Sequence, residues 1–285
     1  MVTLTKKSTK CLGGLPLLNK PHSHELSVIG ANWYVDKSAF IRKSQIFLRL
    51  IDGRASIRCF FISMKDVKSL PPDDQGVQVA YQWKPATGAF LDISAYMDGA
   101  KSLDRASKCY LIFNDTLFTK HPWKLIGRRL STMRESISEF PHPAAAGIVH
   151  PTTGLLLLDQ SNPTRQHLST FCMMLNAAGY ELFVDHLNRL PNSNNRDEVE
   201  EWIAEKIDTY PAIRALLHVH LLGPRTIWSW KLHGSNLFQR KAVTVIFEYL
   251  FSVDLVRQGF AMPVNYDIMF KLSARASRLR MFRLQ

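Results

Sequence analysis

The sequence lacks the short motifs by which several enzyme classes are usually identified. It contains no GxSxG, GxxxxGK[ST], GxGxxG or HExxH, so hydrolase, P-loop and Rossmann dehydrogenase interpretations have no motif to support them. A zinc knuckle and a thioredoxin-like motif are excluded because no CxxC pair is present. The four cysteines are widely scattered: Cys11, Cys59, Cys109 and Cys172.

Long apolar runs are also missing. No uninterrupted apolar stretch reaches the 18 or so residues that a transmembrane helix needs. The start, MVTLTKKSTKCLGGLPLLNK, has charge but only a broken apolar patch, which makes it a poor signal peptide. We therefore expect a cytoplasmic protein with reduced cysteines, at most peripheral at the inner face of the cytoplasmic membrane.

Acidic residues are few relative to basic ones. The 285 residues include 36 Lys and Arg but 24 Asp and Glu, which gives a net charge of +12. Such a surface attracts polyanions: nucleic acid, anionic lipid or phosphate-bearing substrates. The basic amphipathic segment 266–285 adds to this attraction and is typical of a helix that docks on its own domain or on a membrane surface. Nucleic acid is not favoured as the partner because no recognition motif for it is present.

The order of segments predicts an α/β domain with a mainly parallel sheet and a helix-rich C-terminal half. Strand-like runs occupy 26–29, 55–64, 77–83 and 110–113, and helical patterns occupy 93–103, 124–140, 197–207 and 239–256. We expect a loose N-terminal arm at 1–25, a single domain at 26–265 and the basic tail at 266–285. Ligands of such sheets bind beyond the carboxyl ends of the strands.

Asn114 and Asp115 follow the apolar run at 110–113 and so occupy such a strand end. A carboxylate there can hold Mg²⁺ or Mn²⁺, which needs one or two carboxylates when phosphate oxygens and water complete its shell. The alternative is a turn in which Asn and Asp bond to their own backbone. Spacing alone favours the turn.

Two further groups are candidate site residues. His167, beside Arg165, is predicted at the start of a helix, where backbone N–H groups would help to bind an anion; a surface histidine is the equal alternative. Glu248 lies in an apolar helix, and Lys241 shares nearly the same face. Glu248 is a candidate general base, against a structural ion pair with Lys241.

These segments, in this order, resemble the bacterial glycosyltransferases of the rhamnan-synthesis type, which assemble cell-surface polysaccharides. That group has an apolar strand ending in Asn-Asp-Ser, an apolar segment with glycine, a His-Leu helix, and a late helix with a basic residue, a glutamate, a serine and a following glycine. Thr116 replaces the serine of the first motif. The other positions are Asn114, Asp115, Gly147, the 167–171 segment, Lys241, Glu248, Ser252 and Gly259.

The resemblance covers about residues 88–260 and implies a GT-A-like domain that uses a nucleotide-sugar donor and a lipid-linked or polysaccharide acceptor. It implies that Asn114, Asp115, Thr116, Arg165 and Lys241 bind the donor, with Asp115 as the metal ligand. Glu248 and His167 would be catalytic. A GT-A enzyme typically carries an Asp-x-Asp pair, and this chain has one aspartate there, so a Mg²⁺ or Mn²⁺ requirement is a hypothesis. A basic polyanion-binding or scaffold protein without catalysis is the alternative.

Overall fold

The structure is a computed structural model. It describes residues 26–33, 35–52, 57–63, 79–85, 90–103, 107–151, 166–222 and 237–265. The predicted arm at 1–25, the predicted tail at 266–285 and Arg165 lie outside the described residues. Among the helices described, none combines the length and the apolarity that crossing a bilayer requires.

A seven-stranded sheet organises the described chain. Its strands are β1 Leu26–Asn32, β2 Ile57–Ser63, β3 Val79–Pro85, β4 Cys109–Asn114, β5 Ala144–Pro151, β6 Gln166–Asn176 and β7 Phe260–Pro263. Their order is β3-β2-β1-β4-β6-β5-β7. Every neighbouring pair is parallel except the two that involve β6, which runs antiparallel to β4 and β5. The predicted α/β class and mainly parallel sheet are confirmed.

Helices cover both faces of this sheet. They are α1 Lys37–Ile51, α2 Asp92–Ala100, α3 Thr116–Lys120, α4 Trp123–Ser138, α5 Ala177–Asn188, α6 Arg196–Thr209, α7 Ala212–Leu217 and α8 Leu237–Gln258, with a π-helical turn at His218–Leu222. One core lies under α1 and α4, and a second lies under α2, α5 and α8. All residues of β1 and β4 are buried, as expected of central strands covered on both faces.

One predicted element is wrong. The helix expected to begin at His167 is strand β6 as far as Asn176, and the helix that follows, α5, begins at Ala177. The stretch 168–175 lies between β4 and β5 and is buried on both faces of the sheet. A strand of this kind shows no alternation of polar and apolar residues, so its sequence pattern does not distinguish it from a helix. Asn176 ends the strand and caps α5, because its Oδ1 accepts the Gly179 N–H at 2.8 Å.

Candidate functional site

The turn after β4 is fastened to the turn after β1 by Asp115. The Asp115 side chain is buried, and its Oδ2 accepts the backbone N–H groups of Trp33 at 2.8 Å and Val35 at 2.9 Å. The Asp115 N–H donates to the Ala31 carbonyl at 3.0 Å. Asp115 thus holds two neighbouring strand ends together, and it does not line the cleft beside them. Its role as a metal ligand stays a prediction.

A cleft of about 230 Å³ opens at these strand ends. Its walls come from the turn after β1, the start of α2, the end of β4, helix α3, strand β6 and helix α8. The charged residues that line it are two acids, Asp92 and Glu248, and two lysines, Lys120 and Lys241. Its other lining residues are Trp33, Leu91, Asn114, Thr116, Ser169, Thr170, Phe171 and Thr244. The cleft therefore brings together four of the predicted site residues: Asn114, Thr116, Lys241 and Glu248.

Asp92, like Lys120, is a charged residue of the cleft that the sequence analysis did not find. Asn114 orients it, because the Asn114 Nδ2 donates to the Asp92 Oδ2 at 2.6 Å while the Asn114 Oδ1 accepts the Thr116 N–H at 3.0 Å. Burial raises the pKa of Asp92 to about 6, an effect that Lys241 opposes and the carboxylates of Asp115 and Glu248 reinforce. Acidic residues are common in the first turn of a helix, because the helix dipole stabilises their negative charge. The position of Asp92 in the sequence therefore does not indicate a functional role.

The residue before Asp92 holds an unusual backbone conformation. Leu91 has φ 54° and ψ −132°, and it is the only non-glycine residue with positive φ in the described ranges. The turn is closed by the Ile93 N–H, which donates to the Phe90 carbonyl, and by the Ser94 hydroxyl, which accepts the Phe90 N–H at 2.7 Å. Such a conformation costs about 1–3 kcal/mol, and positions of this kind cluster at functional sites.

Glu248 supports an irregular stretch of β6. The register between β5 and β6 shifts after Gly147, so Ser169, Thr170 and Phe171 have no paired residue in either neighbouring strand of the described sheet. The Glu248 Oε1 accepts the Thr170 N–H at 2.6 Å in place of a strand partner. Its Oε2 makes no hydrogen bond within the part of the chain described, and the side chain is partly exposed in the cleft.

The neighbouring groups complete this support. The Ser252 hydroxyl accepts the Leu168 N–H at 3.0 Å and donates to the Glu248 carbonyl at 2.7 Å. The Tyr96 hydroxyl donates to the Thr170 carbonyl at 2.9 Å. Gly147 is required at the shift, because a Cβ there would lie 2.9 Å from the backbone oxygen of Cys172. Much of the sequence pattern that carried the resemblance therefore builds this wall of the cleft.

His167 lies away from the cleft lining. It is a buried residue of β6, and its ring contacts Tyr249 at 4.7 Å and His150 at 5.4 Å between centroids. Burial lowers the pKa of His167 to about 4, so the ring is neutral at pH 7. The predicted helix start at His167 is wrong, because His167 lies inside strand β6. The catalytic role that the resemblance implies for His167 stays a prediction.

No group of three or more His, Cys, Asp and Glu side chains is arranged to hold a metal ion within the ranges that the structure covers. A single cleft carboxylate with diphosphate oxygens remains a donor set that Mg²⁺ accepts. Comparison of the chain with protein-family models, with curated proteins and with solved structures finds no match. The arguments for function therefore come from the residues of the cleft and from the resemblance of the sequence segments.

Proposed function

We propose that this protein is a nucleotide-sugar-dependent glycosyltransferase with a GT-A-like domain. It transfers a sugar to a growing cell-surface polysaccharide or a lipid-linked glycan. The observation that carries the proposal is that two carboxylates, Asp92 and Glu248, and two ammonium groups, Lys120 and Lys241, line one cleft at the carboxyl ends of parallel strands. Sugar transfer from a nucleoside diphosphate needs both kinds of charge in one place.

The two lysines would neutralise the departing diphosphate. Negative charge grows on the β-phosphate as the bond to the sugar breaks, and fixed cations beside it lower the barrier. Lys120 ends α3 and Lys241 lies in the first turns of α8, so they approach the cleft from different elements. If a divalent cation takes part, Asp92 would hold it, and the cation would supply further charge neutralisation.

Glu248 would deprotonate the acceptor hydroxyl. Its Oε1 is fixed by the Thr170 N–H, which orients the carboxylate and leaves Oε2 to take the proton. Because the carboxylate is already held by this hydrogen bond, it does not have to be reoriented during the reaction. This is the advantage of a preorganised group. The partly exposed position in the cleft gives a hydroxyl group access to Oε2.

The test is Glu248→Gln, assayed for sugar transfer with a panel of nucleotide sugars and for binding of nucleoside diphosphates by thermal shift with and without Mn²⁺. The amide oxygen still accepts the Thr170 N–H, so the fold and the diphosphate shift are expected to persist. Transfer is expected to fall on the order of 100-fold or more because the base is lost. Glu181→Gln is the matched control, since Glu181 is an exposed acid of α5.

Full transfer activity in folded Glu248→Gln would contradict the assigned base. The absence of both transfer and a diphosphate-dependent thermal shift in the unaltered protein would overturn the enzymatic proposal. The basic surface would then favour the alternative, a polyanion-binding or scaffold protein without catalysis, which predicts binding that weakens steeply with salt.

A further inference from the structure

The two faces of the sheet carry charge of opposite sign. On one face, α1 and α3 contain no acidic residue, and α4 contains one, Glu135, near its end. On the other face, six of the 14 residues of α6 are exposed acids: Asp197, Glu198, Glu200, Glu201, Glu205 and Asp208. Among the described residues, the net positive charge therefore lies on the side of α1 and α4, which we call the basic face.

Exposed cations on the basic face form one stripe on each helix. Arg42 and Arg49 are exposed on α1, and Lys124 and Arg128 are exposed on α4. The helices pack side by side, since a Cβ on Gly127 of α4 would lie 3.0 Å from the Phe47 ring of α1. Buried apolar residues of both helices face the same core, so these four charges point away from the sheet.

Apolar groups lie among these charges. Ile46, on the same stripe as Arg42 and Arg49, is 40% exposed and is one of two large aliphatic side chains exposed within the described ranges. Trp123 is partly buried at the start of α4, and the Lys124 ammonium lies 5.5 Å from its ring centre. An exposed aliphatic side chain and an amphipathic ring between cations are characteristic of helices that lie in a lipid interface.

We infer that the basic face binds the anionic phospholipid headgroups of a membrane. Each Lys or Arg near such a surface contributes attraction, and the acidic α6 on the far side orients the molecule with the basic face toward the lipid. Nucleic acid fits less well, because a phosphate backbone offers no apolar region to receive Ile46 and two helices packed side by side present no single protruding helix to a groove.

The basic face also adjoins the cleft. Helices α1 and α4 follow the carboxyl ends of β1 and β4, and Lys120, the last residue of α3, lines the cleft itself. A membrane bound there would bring a lipid-linked acceptor to the cleft mouth. This last consequence depends on the proposed function, whereas lipid binding does not, and a vesicle assay tests it without any transfer reaction.

The experiment is co-sedimentation of the full chain with phosphatidylcholine vesicles that contain or lack phosphatidylglycerol. We expect binding only to the anionic vesicles. The double substitution Arg42→Gln and Arg128→Gln should lower the partition coefficient roughly 25-fold, because each cation near the surface accounts for a factor of about five. The matched control is Lys101→Gln with Arg214→Gln, which neutralises two exposed cations on the opposite face and should change it less than twofold.

Ile46→Asn tests the choice of partner, because it removes apolar area without changing charge. It should weaken vesicle binding several-fold and leave any affinity for duplex DNA unchanged. Equal vesicle binding by the double variant and the unaltered protein would overturn the assignment of the basic face. Tighter binding to DNA than to anionic vesicles, lost in the double variant, would assign the face to nucleic acid instead.

Discussion

Two aspartates meet at the same edge of the sheet, yet their surroundings differ. Asp115 is buried, and its Oδ2 is bonded to two backbone N–H groups of the chain that follows β1. Asp92 lines the cleft, and its single described hydrogen bond comes from the Asn114 side chain. A buried carboxylate bonded to backbone serves the fold, whereas one oriented by another side chain toward open space is available for chemistry.

The largest expected effect that separates the two is loss of stability in Asp115→Ala. Two backbone N–H groups would lose their acceptor, at about 1–3 kcal/mol each when they stay dry. We expect the free energy of unfolding to fall by about 3 kcal/mol, measured as a lower urea midpoint with an unchanged m value. Asp185→Ala, at an exposed position of α5, should change it by less than about 0.5 kcal/mol.

Asp115→Ala can also show that Asp115 is not simply a structural residue. If Asp115→Ala unfolds at the original midpoint but no longer transfers sugar, then Asp115 serves the donor or a metal ion, as the resemblance implied. The division between a structural and a chemical aspartate would then be wrong.

Substitution of Asp92 should raise the free energy of unfolding, in contrast to substitution of Asp115, and the size of the increase should depend on pH. Its pKa is raised by burial to about 6, so the protonated form stabilises the fold, and that contribution is lost as the pH rises from about 4 to above 6. Asp92→Asn removes the cost of ionising a carboxyl group that is partly desolvated at the cleft wall. Its free energy of unfolding should therefore exceed that of the unaltered protein by an amount that grows by about 2 kcal/mol between pH 4 and pH 7.

Urea denaturation across this pH range measures the difference, with Asp185→Asn as the exposed control. Asp92→Asn should also lose transfer activity at pH 7 because the cleft loses a charge that Lys241 faces. A difference in stability that does not change with pH would show that Asp92 is ionised in the fold without cost. The fold would then accommodate a charged Asp92 as well as it accommodates Asp115, and the contrast between the two aspartates would be wrong.

Much of this fold could be predicted from the sequence, and the failures have identifiable causes. β4 and α8 were predicted nearly in full because the first is a short apolar run and the second carries a helical stripe. Helix α1 was not predicted, although Asp36 caps it by accepting the Ala39 N–H. The helix predicted from His167 is strand β6 instead, because burial on both faces removes the alternation that identifies a strand.

The site was predictable where residues are close in sequence to a strand end or share a helix face, as Asn114, Thr116, Lys241 and Glu248 are. Asp92 was not predictable, because it reaches the cleft through the turn at Leu91 and through a hydrogen bond to Asn114, 22 residues away. The prediction that His167 begins a helix is wrong, whereas its catalytic role, which came from the resemblance, stays a prediction. Contacts between distant segments carry no local signal in a single sequence.

The smallest expected effect concerns the turn that delivers Asp92 to the cleft. At most helical or extended positions, a protein with glycine is less stable than one with alanine by up to about 1 kcal/mol. Ala204→Gly, at an exposed position of α6, should show this usual order. At Leu91, φ is 54°, so a Cβ is strained there and the order should reverse. We expect Leu91→Gly to unfold at a higher urea concentration than Leu91→Ala, with a difference of about 1 kcal/mol. If Leu91→Ala is the more stable variant, the backbone at residue 91 is not strained. The turn that carries Asp92 would then be as unstrained as the turn that contains Asp115.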